Sequence, residues 1–210
     1  MITVIDYKAG NLTSVKLAFE SLGIDARITR DPAEVLKAER IVFPGVGAAG
    51  AAMSVLESAQ LLDAIREVVR RGLPFLGICV GCQILLDRSE EDGGVDTIGV
   101  LPGTVKRFPD PDVNGGDKVP HMGWNAVHFK REHPLFAEIP QDAEFYFVHS
   151  YYPAPTDPTD ALGETHYAGI TFSSALARSN VVATQFHVEK SGRVGLKVLE
   201  NFSTWDGATC

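Results

Sequence analysis

Cysteine is scarce in this 210-residue chain, and three residues are too few for a disulfide framework. Basic residues are outnumbered, with 19 Lys and Arg against 27 Asp and Glu, and the formal charge is −8. No basic run occurs, so nothing is expected to neutralise a row of phosphates, and nucleic acid is not an expected partner. A long Ser/Gly/Pro linker, an internal repeat and low-complexity segments are also missing, which predicts one domain over residues 1–210. The uncharged stretch from Ile41 to Leu56 covers sixteen positions. It falls short of the roughly 20 apolar residues that cross a bilayer, and Pro44, Gly45, Gly47 and Gly50 interrupt it, so no membrane association is expected. Met1-Ile-Thr-Val-Ile-Asp6 reads at once as a strand, without the basic, apolar and small-residue series of a leader, which predicts a cytoplasmic location. What the chain does have is 45% apolar residues, enough for a large core, and this excludes disorder and collagen.

Short apolar runs alternate with helical periodicity through the first ninety residues. Ile2–Ile5 reads as a strand, followed by a helix with Leu12, Val15, Phe19 and Leu22 on one face, closed by Gly23. Ile24–Thr29 is the next strand, Asp31-Pro-Ala-Glu34 starts a helix, and Arg40–Phe43 is a third strand. A helix over Leu61–Arg71 stops at Gly72 and gives way to the apolar strand Pro74–Ile78. The pattern predicts an α/β fold with a mostly parallel central sheet flanked by helices, its site at the carboxyl ends of the strands. From about residue 97 to 178 the pattern changes to an inserted, antiparallel β-rich segment. Thr104–Phe108, Trp124–Phe129, Glu144–Val148 and Tyr167–Phe172 read there as short strands between Pro, Asp and Gly clusters. A final strand, Val181–Phe186, and a helix bearing Val194, Val198 and Phe202 restore the opening pattern.

Gly77-Ile-Cys79-Val-Gly81 follows a buried strand and precedes an apolar helical stretch, Gln83 to Leu86, which is the pattern of a nucleophile elbow. The turn is tight, so the neighbours two positions away must be small, and both are glycine. A cysteine there also meets a helix N-terminus, which favours its thiolate, and the Val80 amide points into the same space as half an oxyanion hole. The competing interpretation is a buried structural cysteine. Cys79 and Cys82 also form a C-x-x-C. A zinc site lacks ligands, because only Cys210 remains, whereas a redox pair fits the βα setting and stays open. Cys82 is expected as a small core residue.

Among six histidines, His187 stands at the end of the last apolar strand, and Glu189 two residues later shares its face in extended chain. Nucleophile, base and orienter are then all present, although a surface histidine beside a helix-capping glutamate has the same spacing. Pro44-Gly-Val-Gly-Ala-Ala-Gly50 contains G-x-G-x-x-G after a strand. A dinucleotide site would require an acidic residue about 20 positions on, at the end of the next strand, and that region reads as helix. A glycine loop beside an elbow instead offers backbone N–H to a developing oxyanion.

The elbow Gly77–Gln83, the loop Pro44-Gly-Val-Gly47 and the tail Gln185-Phe-His-Val-Glu-Lys-Ser191 together resemble class I, triad-type glutamine amidotransferases. Asp6-Tyr-Lys-Ala-Gly-Asn11, Lys118-Val-Pro-His-Met-Gly-Trp-Asn125 and Tyr146-Phe-Val-His-Ser-Tyr151 narrow the likeness, over about residues 2 to 203, to the glutaminase subunits of imidazole glycerol phosphate synthases. The resemblance implies that Cys79 attacks the side-chain amide of glutamine, His187 shuttles the proton and Glu189 orients His187. It assigns oxyanion stabilisation to Val80 and to Gly45, Val46 and Gly47, and substrate binding to Gln83 and the backbone of Ser150 and Tyr151. Asn11, His121, Met122, Trp124, Asn125 and Tyr146 are expected toward a partner, a (β/α)8-barrel cyclase subunit joined in a heterodimer. No cofactor and no metal is implied.

The chain departs from the family pattern at Val80, Cys82 and Val188, where Leu, Met and Pro are usual. The missing proline frees one φ angle between base and orienter. A partner is also expected because free ammonia is mostly protonated in neutral water and one glutaminase fills the chain. Competing expectations are a glutaminase subunit serving another synthase, such as one using chorismate, a DJ-1-like cysteine hydrolase or peptidase, and a non-enzymatic interaction module. The His121–Asn125 segment weighs against the first, Gln83 with Ser150-Tyr151 against the second, and the complete triad against the third.

Overall fold

In the computed structural model, residues 1–7, 10–110 and 117–208 are described. Lys8 and Ala9 of the opening motif, and Cys210, lie outside them. The first half is built from β1 (Ile2–Ile5), α1 (Leu12–Ser21), β2 (Ala26–Thr29), α2 (Pro32–Val35), β3 (Arg40–Gly45), α3 (Ala49–Ser58), α4 (Leu61–Arg70), β4 (Phe75–Cys79) and α5 (Val80–Gln83). Local chemistry sets several of these boundaries. Pro32 takes the first position of α2, and Asp31 caps the helix by accepting from the Ala33 N–H at 2.9 Å. Leu61, Ala64, Ile65 and Val68 form the buried stripe of α4.

The second half contains β5 (Arg88–Ser89), β6 (Val95–Asp96), β7 (Gly103–Arg107), β8 (His121–Phe129), β9 (Ala143–His149), β10 (Tyr151–Pro155), β11 (Ala161–Tyr167), β12 (Ile170–Arg178), β13 (Val181–Thr184) and α6 (Gly192–Thr204). Nine strands form one sheet in the order β2-β1-β3-β4-β13-β12-β11-β8-β9. The β2-to-β13 part is parallel, and β12, β11, β8 and β9 continue it antiparallel. The antiparallel segment therefore largely extends the central sheet. Among the described residues β10, β7, β5 and β6 form a separate four-stranded sheet.

Every residue of β1, β4 and β13 is buried, as expected of strands covered on both faces. α1 packs with α6, and α2 and α3 pack with α4. One expected strand is split: Tyr167–Phe172 spans a hairpin, with Ala168 and Gly169 at φ 51° and 74° forming the two-residue turn between β11 and β12. Two consecutive positive φ angles give the twist that matches antiparallel strands. The expected helix over Gln83–Leu86 is also replaced. α5 is a single turn, because the carbonyls of Ile84, Leu85 and Leu86 accept from the N–H groups of Ile98, Val100 and Leu101, and Gly99 rather than continuing a helix.

Candidate active site

β4 delivers Cys79 to the carboxyl edge of the sheet with φ 55° and ψ −111°, a strained conformation for a residue with a Cβ. Three glycines permit it. A Cβ on Gly81 would stand 1.8 Å from the Phe43 carbonyl oxygen, one on Gly77 would stand 2.9 Å from the Gly81 carbonyl oxygen, and one on Gly45 would meet the Gly81 nitrogen at 2.9 Å. β3 pairs with β4 as far as Gly45 opposite Cys79, so the loop at Val46 and Gly47 begins level with the sulfur. A one-turn helix carries little macrodipole, so what α5 offers the sulfur is its first N–H groups.

β13 lies beside β4, with Thr184 opposite Ile78, and this ladder carries His187 toward Cys79. The His187 N–H donates to the Tyr146 carbonyl at 2.9 Å, and its own carbonyl accepts from Ser191 Oγ at 2.6 Å. These bonds secure the turn that lacks the usual proline. His187 Nδ1 lies 2.7 Å from Glu189 Oε1, which also accepts from Asn11 Nδ2 at 3.0 Å. Among the described residues His187 Nε2 has no hydrogen bond of good geometry. Burial opposes the charged imidazole, yet Cys79 and then Glu189 outweigh it, and the His187 pKa is raised to about 10. Glu189 also resists the cost of its burial: the bonds and charge from His187, with the bond from Asn11, hold its carboxyl below the usual range.

The pair opens on a cavity of about 320 Å³ lined by Val46, Gly47, Cys79, Val80, Gln83, Ser150, Tyr151 and His187, so the structure brings these expected residues together. Glu189 stands behind His187, and Gly45 is buried under the loop. A larger cavity of about 590 Å³, between Phe129 and Gln141, shares no lining residue with it and offers no cysteine, serine or threonine. Sequence reasoning missed Glu91, which lines the candidate site and accepts from the Ala49 N–H at 2.6 Å. Burial raises its carboxyl pKa against that bond. It also missed Gln185, whose Nε2 lies 3.8 Å from Cys79 Sγ, and Tyr7, whose buried hydroxyl lies where a Gly45 Cβ would be. Cys82 is fully buried and packs in the core, and burial raises its thiol pKa. Among the described residues no group of three or more His, Cys, Asp or Glu is arranged to hold a metal ion.

The residues expected at a partner face divide. Met122 and Trp124 are 63% and 53% exposed, and Asn125 and Tyr146 are half-buried. Asn11 and His121 are inside the chain, the first bonded to Glu189 and the second between the Phe147 and Tyr167 rings. Burial pulls His121 and His133 from the usual 6.5 to about 4, and His149 to about 3. The unfolded chain therefore takes up protons below pH 6.5 that the native chain refuses, and stability falls as pH drops from 6.5 toward these values. Thermal midpoints should decline steadily from about pH 6.5 to 4.5, and a level midpoint across that window would count against neutral buried rings.

The model of the class-I glutamine amidotransferase family matches residues 3–204, so the chain belongs to that family. It is 50% identical over 203 residues to the imidazole glycerol phosphate synthase subunit HisH of Geobacter sulfurreducens, covering 96% of this chain and 97% of that one. The HisH subunit of Chromobacterium violaceum is 48% identical over 211 residues, covering 98% of each. Within the class-I family, the chain belongs with these HisH subunits. The fold is shared more widely: PurLQS from Thermotoga maritima aligns with TM-score 0.74 at 17% identity over 96% of each chain. Among the described residues no helix is long and apolar enough to cross a membrane.

Proposed function

We propose that this chain is the glutaminase subunit of an imidazole glycerol phosphate synthase. It hydrolyses glutamine to glutamate and ammonia, and passes the ammonia to a cyclase subunit of (β/α)8-barrel fold in a cytoplasmic heterodimer. The products there are imidazole glycerol phosphate and an aminoimidazole carboxamide ribotide, in histidine biosynthesis. The observation that carries the chemistry is Cys79 in a strained turn beside a buried His187 bonded to Glu189. The names of the relatives support the synthase.

In this reading Cys79 Sγ attacks the side-chain amide carbon, and the carbonyl becomes an oxyanion held by the Val80 amide and the loop from Gly45 to Gly47. His187 takes the proton of the Cys79 thiol and gives it to the departing nitrogen, which leaves as ammonia, and a thioester remains on Cys79. Water then adds to the thioester as His187 takes its proton, the C–S bond breaks, and glutamate is released. Gln83 Nε2 is occupied by the Tyr151 carbonyl and Gln185 Oε1, each at 2.9 Å. Its own Oε1 is thereby aimed to accept, which suits the α-ammonium of glutamine. Met122 and Trp124 present the apolar area expected of a docking face.

Glutamate formation by the chain alone, then with the cyclase subunit and its ribotide, tests this reading, with Cys79→Ala as control. Stimulation by the partner that vanishes in the control is expected. Turnover indifferent to partner and ribotide would point to another synthase, and none under any condition would end the glutaminase reading.

A further inference from the structure

A continuous row of hydrogen bonds runs from the exposed part of β8 to the nucleophile, and chemistry fixes the direction of each bond. His149 Nδ1 lies 2.8 Å from the Tyr151 carbonyl oxygen, which only accepts, so that nitrogen carries a hydrogen. In a neutral ring Nε2 is then an acceptor, and His121 Nδ1, 3.0 Å away, must donate to it. By the same step His121 Nε2 accepts from Asn125 Nδ2 at 3.3 Å. The other Asn125 hydrogen goes to the His166 carbonyl at 3.1 Å, and Asn125 Oδ1 accepts from the Ala126 N–H at 2.8 Å, so the amide has one orientation. On the pocket side, the same Tyr151 carbonyl accepts from Gln83, Gln83 donates to Gln185, and Gln185 reaches Cys79.

The fold supports this row. His121 and His149 are directly opposite in the β8–β9 pairing, on one face, while Met122 and Trp124 point to the other. The His121 ring is stacked between Phe147 and Tyr167 at centroid distances of 4.7 and 3.8 Å. Phe108 and Phe172 complete an apolar cage around the pair. Burial in it disfavours the charged rings, in agreement with their lowered pKa values. A polar network in such surroundings is costly when any member is unpaired, so breaking one link disturbs the next.

We infer that His121 and His149 are positioning residues for glutamine: held as Nδ1–H tautomers, they tie the Tyr151 carbonyl and the Gln83 side chain to the strand at Asn125. The inference rests on the glutaminase reading, since it takes glutamine to bind beside Gln83 and Tyr151.

Two nearly isosteric variants separate the two ends of the row. His149→Asn places an amide donor where Nδ1 stands and deletes the acceptor for His121. His149→Gln places an amide oxygen where Nε2 stands and deletes the donor to Tyr151. In the complex with saturating cyclase subunit, His149→Gln should raise KM for glutamine about tenfold, with kcat within about twofold. His149→Asn, which keeps the bond to Tyr151 and cuts the row at His121, should raise KM severalfold. Asn125→Ala should raise KM severalfold in the wild-type chain and add nothing in the His149→Asn background, the signature of one pathway. Unchanged KM in His149→Gln, or full additivity in the cycle, would overturn the inference. Imidazole 15N resonances near pH 7 test the polarity independently, even if His149→Gln does not fold. Both rings should be neutral and protonated at Nδ1, and an Nε2–H or charged ring at either position would overturn it. A wild-type complex without glutaminase activity, yet with the expected resonances, would show the failure to lie in the functional reading and would remove the positioning role with it.

Discussion

Cys79→Ala is expected to lower glutamate formation by about 10⁴-fold or more, as is His187→Ala, with the fold retained in both. The side chains are buried at the mouth of one cavity and act on the same bond, the sulfur making it and the imidazole moving its proton. Their effects should therefore not multiply. The double variant should be no slower than either single variant, because once the sulfur is gone the base has no thioester to resolve. Alanine at 79 keeps the positive φ and its strain, so circular dichroism and thermal midpoint should stay near wild type. Initial rates of glutamate formation by the complex decide the matter, and turnover near wild type in either variant would sink the mechanism.

The second large effect belongs to a residue without a side chain. Gly81→Ala would drive a Cβ to 1.8 Å from the Phe43 carbonyl oxygen and 2.8 Å from its carbon, both backbone atoms that cannot swing away. β3, β4 and the elbow must part, at a cost of about 3 kcal/mol or more, on the order of 6–12 °C in thermal midpoint for a chain of this size. Activity should fall further than stability, because the displaced turn carries Cys79. Gly50→Ala is the matched comparison, another glycine of the same site region. Its Cβ would meet only the Asp92 carboxylate at 3.4 Å and Val95 at 3.5 Å, in a helix where alanine is preferred by about 1 kcal/mol. That variant should be neutral or slightly more stable. Equal losses from the two substitutions would show that backbone packing at the elbow is not what requires Gly81.

This contrast shows which features were legible in the sequence. The elbow was readable because tight backbone approach restricts residue type, so Gly77 and Gly81 record the geometry directly. β1, β3, β4 and β13 were readable because burial on both faces leaves apolar runs. Ala168-Gly169 was not, since it lacks the Asn-Gly or Asp-Gly signal for two positive φ angles and the flanking residues read as one strand. The length of α5 depends on partners fifteen or so residues away, which no local window contains. The candidate site follows the same division. Cys79, His187 and Glu189 are marked by spacing, whereas Glu91 sits in an acidic run that resembles any solvated loop, and Asn11, expected toward a partner, is buried and bonded to Glu189. His149 and Gln185 matter through contacts formed only when distant strands come together.

The placement of β4 and β13 side by side in the middle of the nine-stranded sheet has a consequence for how the molecule opens. These strands are buried and far from either sheet edge, so their amide hydrogens reach solvent through a large cooperative opening and this ladder is expected among the slowest-exchanging parts of the chain. Cys79 and His187 hang from its end, while Gly47 and Glu91 sit on segments outside the ladder that can breathe without it. Local fluctuation can therefore reshape the mouth of the pocket many times for each occasion on which nucleophile and base lose their alignment.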